Sequence, residues 1–391
     1  MSDPLAGIRV LDLTRLLPGP VCSLYLADFG ADVIKIEDTG GGDYSRRVGA
    51  RGTEISAFYR LINRNKRSLA VDLKDPRGRD AFLALVRNVD VVIEGFRPGV
   101  MAALRLDYPV IAKENPRIVF CSLSGYGQNG PRAHAAGHDI NYLGYSGVLD
   151  QTGTRGGPPA LSNLQIADLL GGAATAAIGI LVALVGALRS GEGRHVDVAM
   201  ADASFAYQIL SLSALEENGR LRARGDDLLT GGVPCYGLYA TRDERYLAVG
   251  ALEEKFWRAL CEALDRSDLI PAQFARGAEG ERARTALAAI FARSPRDEWA
   301  HRFSGVDCCV TPVLTFEEAL SDPQFVARAM VLAEKGRREF APPFKLSDHA
   351  FRITRTPPSQ GADGADVLRE AGFAQTAIDE LVAAKVLRID R

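Results

Sequence analysis

Short apolar runs rich in Val, Ile and Leu punctuate the first half of the chain, at residues 8–13 (IRVLDL), 31–37 (ADVIKIE), 68–73 (SLAVDL), 90–95 (DVVIEG) and 117–125 (RIVFCSLSG). Between them lie stretches with helical spacing, at 21–30, 77–87 and 99–115. Strands apolar on both faces that alternate with helices predict an α/β fold with a doubly wound, mostly parallel sheet. Ligands of such sheets sit beyond the carboxyl ends of the strands, where several Gly- and Arg-rich connections fall. A charge-free stretch follows at 169–188 and then a strand at 195–200. The stretch is long enough to test as a membrane span, but it is rich in Ala and Gly, stands alone and directly follows Asp168. We read it as a helix buried in a soluble core, where small residues permit close packing.

The pattern changes after residue 215. Residues 216–229 are polar and charged without a clear period and read as a linker. Beyond them, 236–241 and 245–252 predict a hairpin around Arg242, Asp243 and Glu244, followed by helices from Lys255, Glu279 and Pro295 and a strand at 308–315. After about residue 330 the chain turns Pro-rich and ends in a helical segment at 365–386 that is expected to pack back on the first domain. The expected division is a large domain at 1–215, a smaller α+β domain at 216–330, and a C-terminal part at 331–391 returning to the large domain.

Composition narrows the function. Lys+Arg 47 against Asp+Glu 49 gives a formal net charge of −2 over 391 residues, so no global basic field draws in nucleic acid or an anionic membrane. The six cysteines have no paired metal or redox spacing, and even the adjacent Cys308 and Cys309 fit neither. They read as reduced, buried thiols of a cytoplasmic protein, and the N-terminus shows no signal peptide.

No GxxxxGK[ST], GxGxxG, Gly-x-Ser-x-Gly or His-Glu-x-x-His occurs, which argues against P-loop, ordinary NAD, serine-hydrolase and zinc-protease chemistry. Where a dinucleotide enzyme carries its glycines, Leu17-Pro18-Gly19-Pro20 stands instead. Two basic connections fall at strand ends: Asn63-Arg64-Asn65-Lys66-Arg67 and Gly95-Phe96-Arg97-Pro98-Gly99. Guanidinium forks there suit phosphate oxygens, although a basic surface turn has the same pattern. A second constellation joins Gly137-His138-Asp139-Ile140-Asn141-Tyr142 to Asp168. A carboxylate opening a charge-free helix either caps it or works chemically. Gly171 and Gly172 would leave the helix-end amides open to a ligand oxygen.

As a set, LDLTRLLPGP, LADFGADVIKIE, NRNKRSLAVDLK, GFRPGV, GHDINYLGYSGVL, Asp168 before Gly-Gly, SGEGRHVDVAM, GGVPCYGLYAT and CCVTPVLTFEEAL resemble the family III CoA-transferase superfamily of CaiB/BaiF type. That superfamily also contains α-methylacyl-CoA racemase, the branch the chain most resembles. The resemblance implies a CoA thioester substrate, no cofactor beyond its CoA moiety, and an intertwined homodimer. It also implies a large domain built from both chain ends with a smaller domain between.

In the transferases the residue matching Asp168 attacks the thioester and carries CoA as an aspartyl thioester. In the racemases it exchanges the α-proton, paired across the carbon with the residue matching His138, where transferases usually carry Tyr. Two bases and an enolate stabiliser are what α-proton transfer needs, and His138, Asp168 and the helix N-terminus would supply them. The resemblance adds Glu253, which would orient His138. It assigns Leu17, Pro18, Asn63, Arg64, Lys66, Arg67, Gly95, Phe96 and Arg97 to CoA. Gly137, Asp139, Asn141 and Tyr142 fall at the pantetheine and thioester end. Two features look more like transferases: Asp38 stands where racemases carry an Arg, and residues 41–62 form a longer segment. Arg46 or Arg47 would replace that Arg.

Overall fold

The apolar runs become the strands of one seven-stranded sheet in the computed structural model, which describes residues 3–49, 55–334 and 336–390. They are β1 (Arg9–Asp12), β2 (Asp32–Glu37), β3 (Lys66–Val71), β4 (Val91–Glu94), β5 (Val119–Ser124) and β6 (Arg194–Ala199). These six are mutually parallel in the order β3-β2-β1-β4-β5-β6, and the short strand Leu387–Arg388 joins antiparallel to β3. The chain winds outward from β1 to β3, then crosses back to lay β4 on the other side of β1. This leaves a crevice between the carboxyl ends of β1 and β4. Residues 50–54 of the long 41–62 segment lie outside the described residues.

Leu11, Ile34, Leu69, Val92 and Phe120 bury one sheet face against Phe82 and against Val367, Leu368, Ile378 and Leu381 from the chain's end. The returning C-terminal part therefore completes the core. Its helical stretch is two helices, Gly364–Glu370 and Gln375–Ala383, broken at Gly372, whose φ is 91°. The helix expected over 99–115 is also two pieces, Val100–Ala103 and Tyr108–Glu114. Pro109 is tolerated only in a first turn, and Arg105 adopts a left-handed φ of 58° between the pieces.

The basic run that leads into β3 faces the protein interior and does not line the cavity described below, against the expectation that Asn63, Arg64, Lys66 and Arg67 contact CoA. All four are buried and spent on internal partners. Arg64 pairs with Asp28 at 2.6 Å and Glu339 at 3.2 Å, and Arg67 with Asp32 at 2.6 Å and Glu370 at 2.7 Å. Lys66 Nζ donates to the Pro20 carbonyl at 2.8 Å and to Asn63 Oδ1 at 3.0 Å, with Asp12 at 3.4 Å. Asn65 Oδ1 accepts the Thr354 and Arg355 N–H groups at 2.8 and 3.1 Å. The motif is a clasp that fastens the returning chain end to the sheet.

The chain separates into two compact units, one of Met1–Gly147, Ser162–Gln208 and Met330–Arg391, the other of Val148–Leu161 and Ile209–Ala329. The second begins earlier than residue 216 because 216–229 is no simple linker: the helix Ile209–Asn218 runs into it. Arg224 also draws 148–161 into this unit, donating to the Gly157 carbonyl at 2.6 Å and to the Asp150 carboxylate at 2.9 Å. The unit holds an antiparallel sheet of Tyr236–Ala240, Tyr246–Gly250 and Val310–Pro312. Helices Glu254–Ala263, Gly277–Phe291 and Arg296–Phe303 pack on it around Trp257, Phe291 and Trp299.

Two further expectations need correction. Five cysteines are buried, but Cys309 is exposed. The apolar helix is only half covered: on Thr175–Ser190, Ile178, Val182, Val185 and Leu188 form a stripe with exposures of 59, 68, 50 and 60%.

Candidate active site

A cavity of about 240 Å³ opens in the crevice between β1 and β4. Its walls are the connections after β1 (14–16, 18 and 19) and β4 (95–98), the end of β5 with the residues after it (123–126), the stretch 135–138, Ala133, Tyr142, Asp168 and Met200. Of the residues expected from sequence, Pro18, Gly95, Phe96, Arg97, Gly137, His138, Tyr142 and Asp168 converge here.

Asp168 projects from a wide π-helical turn, Ala167–Ala174, that runs directly into Thr175–Ser190. Such turns are rare and cluster at functional sites, because the extra residue redirects the side chains. The two glycines let Met200 and Pro18 pack closely against this turn. A Cβ on Gly171 would lie 2.8 Å from the Met200 carbonyl oxygen, and one on Gly172 would lie 2.9 Å from Pro18 Cβ. The Asp168 N–H is itself taken by the Asp139 carboxylate at 3.0 Å. Gly171 and Gly172, expected to offer amides to an enolate oxygen, are buried and do not line the cavity.

His138 precedes the helix Asp139–Ser146 in extended conformation, and its N–H donates to Asn141 Oδ1 at 3.0 Å. Asp139 and Asn141 therefore do not line the cavity; they fix the backbones of Asp168 and His138. Tyr142 donates to the Gly137 carbonyl at 2.6 Å. Gly137 must be small, since a Cβ there would lie 2.8 Å from both the Tyr126 hydroxyl and the Tyr142 ring.

Burial pushes the Asp168 carboxyl up to about 6, Asp139 adds to the rise, and His138 opposes it. Burial, with Asp168 and Tyr126, raises Tyr142 to about 12, so it remains a neutral phenol. A carboxyl near 6 can both take and give a proton close to neutral pH.

The floor comes from residues that sequence reasoning missed. Leu16 stands in a left-handed conformation, φ 64°, beside Arg15. Asp12 accepts the Thr14 N–H at 2.9 Å, Lys35 donates to the Thr14 carbonyl at 2.9 Å, and Asp43 accepts the Leu16 N–H at 3.1 Å. Lys35 and Asp43, both fully buried, close the frame at 2.7 Å. The available signal was position: Thr14-Arg15 follow the first apolar run directly, at a strand's carboxyl end.

Three other expectations fare differently. Arg46 does not line the cavity: Glu37 holds it at 2.6 Å and it stacks on Tyr59 at 3.9 Å; Arg47 is exposed. Arg15 is paired with Asp38 at 3.0 Å, whereas Arg97 has no ion pair or side-chain hydrogen bond among the described residues. Leu17 caps the helix Pro18–Asp28 without lining the cavity, and Glu253, in the second unit, is exposed just before Glu254–Ala263.

A doubly wound sheet with an acid–base cavity at its switch point and a guanidinium at the rim defines an enzyme for an anionic ligand. Residues 5–364 match the profile of CoA-transferase family III, and the chain belongs to that family of acyl-CoA transferases and racemases. It is 36% identical over 397 residues to human alpha-methylacyl-CoA racemase, covering 99% of this chain and 98% of that one. It is 33% identical over 354 residues to acetyl-CoA:oxalate CoA-transferase of Acetobacter aceti, covering 89% and 90%. A CAIB/BAIF family protein from Brucella suis superposes with a TM-score of 0.83 at 28% identity, covering 95% of this chain and 100% of that one.

Proposed function

We propose that this protein is a 2-methylacyl-CoA racemase or epimerase that works through an enolate, with His138 and Asp168 as its two acid–base groups. The observation that carries this reading is their placement on one small cavity together with the raised Asp168 carboxyl. One group removes the α-proton and the electron pair moves onto the thioester oxygen. The other returns a proton to the opposite face, so the centre inverts and the two groups exchange protonation states. The thioester itself acidifies the α-carbon, so no organic cofactor or metal is required beyond the CoA moiety. Glu253 is carried over by resemblance alone as the group that orients His138.

Incubation with (2R)-2-methylacyl-CoA in deuterium oxide tests the reading. Deuterium is expected at the α-carbon, together with the 2S epimer, without any acceptor acid. A new acyl-CoA that forms only when a carboxylic acid is added, with no α-label, would instead make Asp168 the nucleophile of a CoA transferase.

We further propose a homodimer. The stripe of Ile178, Val182, Val185 and Leu188 is a continuous apolar helix face, and a second copy of this chain is the occupant that the resemblance implies. Light scattering is expected to give twice the chain mass, with Val182→Lys shifting the population toward monomer; a wild-type monomer at micromolar concentration would refute the dimer.

A further inference from the structure

We propose that Glu94 is a positioning residue for Arg97: its carboxylate holds the Phe96 N–H, and this sets where the Arg97 guanidinium meets an anionic oxygen of CoA. The inference rests on the reading of Arg97 as a CoA contact. It concerns a residue that the racemase and transferase mechanisms both leave unused.

Glu94 ends β4 and is buried. Its Oε2 accepts the Phe96 N–H at 2.8 Å, across the tight turn that carries Phe96 and Arg97 into the cavity wall. Glu94 stands opposite Ser122 on β5, whose hydroxyl favours the ionised carboxylate. Ser122 Oγ lies 2.9 Å from His195 Nε2, and the His195 ring stacks on Tyr108 at 5.3 Å. Ser122 stands opposite Asp197 on β6, so a polar row crosses the sheet immediately beneath the turn.

This row costs the fold something. Burial, with Asp197 adding to it, lifts the Glu94 carboxyl to about 7, and no cation is paired with it among the described residues. An apolar side chain would fill a sheet position more cheaply. What the carboxylate supplies is an acceptor for one backbone amide of the turn, and that turn bears the guanidinium at the cavity that is left unspent. Arg15 is committed to Asp38, and Arg46, Arg64 and Arg67 are buried in ion pairs. A guanidinium fork discriminates by geometry, so fixing the backbone beside it turns a mobile charge into a directed one.

Calorimetric titration with free CoA tests the proposal and is indifferent to racemase or transferase chemistry. Glu94→Met, which leaves the Phe96 N–H unpaired, is expected to weaken CoA binding about 10-fold. Glu94→Gln keeps an acceptor at the same reach and is expected to stay within about 2-fold of wild type. Glu94→Asp withdraws the carboxylate without removing its charge and serves if the Met variant fails to fold; it should weaken binding in the same direction.

The deciding comparison is a double-mutant cycle with Arg97→Met. If Glu94 acts through Arg97, Glu94→Met adds no loss in the Arg97→Met background. Losses that multiply, or CoA affinity unchanged by both Glu94→Met and Glu94→Asp, would overturn the positioning role alone. Unchanged affinity in Arg97→Met itself would remove the CoA assignment of Arg97, and the proposal with it.

Discussion

Asp168→Asn is expected to lower racemisation by about 10³-fold or more while making the protein more stable at pH 8. On the proposed two-base mechanism, the activity loss follows from removing one of the two acid–base groups. The stability gain follows from linkage. The folded carboxyl titrates near 6 against an ordinary value of 3.8, so the fold favours the protonated form. Its contribution is fully present below about pH 4, is lost as the pH rises through 6, and is absent above.

At pH 8 the wild type therefore holds an ionised carboxylate that its surroundings disfavour. Replacing it by an amide is expected to recover about 1–2 kcal/mol, after allowance for the part of the carboxyl that faces solvent. Urea unfolding at pH 8 and pH 3.5 measures this: the Asn variant should gain stability at pH 8 and gain none at pH 3.5. Equal gains at both pH values would mean that the carboxyl is not raised.

If the protein is the proposed two-base racemase, His138→Gln is expected to separate α-proton exchange from inversion. A two-base site assigns one group to each face, so loss of the imidazole stops inversion in both directions, by roughly 10²- to 10⁴-fold. Asp168 remains, and from its own face it can still remove a proton and return a deuteron to the same carbon. One epimer of 2-methylacyl-CoA should therefore keep exchanging its α-proton in deuterium oxide, without inverting, while the other stops. Asp168→Asn should show the converse preference. If His138→Gln left racemisation intact, or slowed exchange of both epimers equally, the assignment of His138 to one face would be wrong. A CoA transferase would keep part of its activity in this variant, because its nucleophile is untouched.

The strands could be read from the sequence because β1, β2, β4 and β5 each hold a short cluster of Val, Ile, Leu or Phe, although Asp12, Lys35, Glu37 and Glu94 are buried among them. Asp168 stood out as a carboxylate opening a charge-free stretch, whereas His138 took its role from the resemblance. The error at Arg64, Lys66 and Arg67 has a physical origin. A run of cations looks the same whether it faces phosphate or buried carboxylates, and most of the partners here are far along the chain: Asp28, Asp32, Glu339 and Glu370. Gly171 and Gly172 misled for a related reason. A missing Cβ can admit a ligand or a neighbour, and only the positions of Pro18 and Met200 decide between them. Arg15 and Leu16 became meaningful only once the strand order placed the crevice beside β1.

The pairing of Leu387–Arg388 with β3, and the burial of Leu368 and Ile378 beneath the same sheet, set the order of events during synthesis. A chain emerging from the ribosome cannot close its larger unit until residues 364–388 are free. By then all of Val148–Leu161 and Ile209–Ala329 has been available for some time, and the smaller unit can complete itself first. Through that interval the two-sided apolar strands of the larger unit stand without their final cover. They form an extended apolar surface until residues 364–388 emerge to cover it.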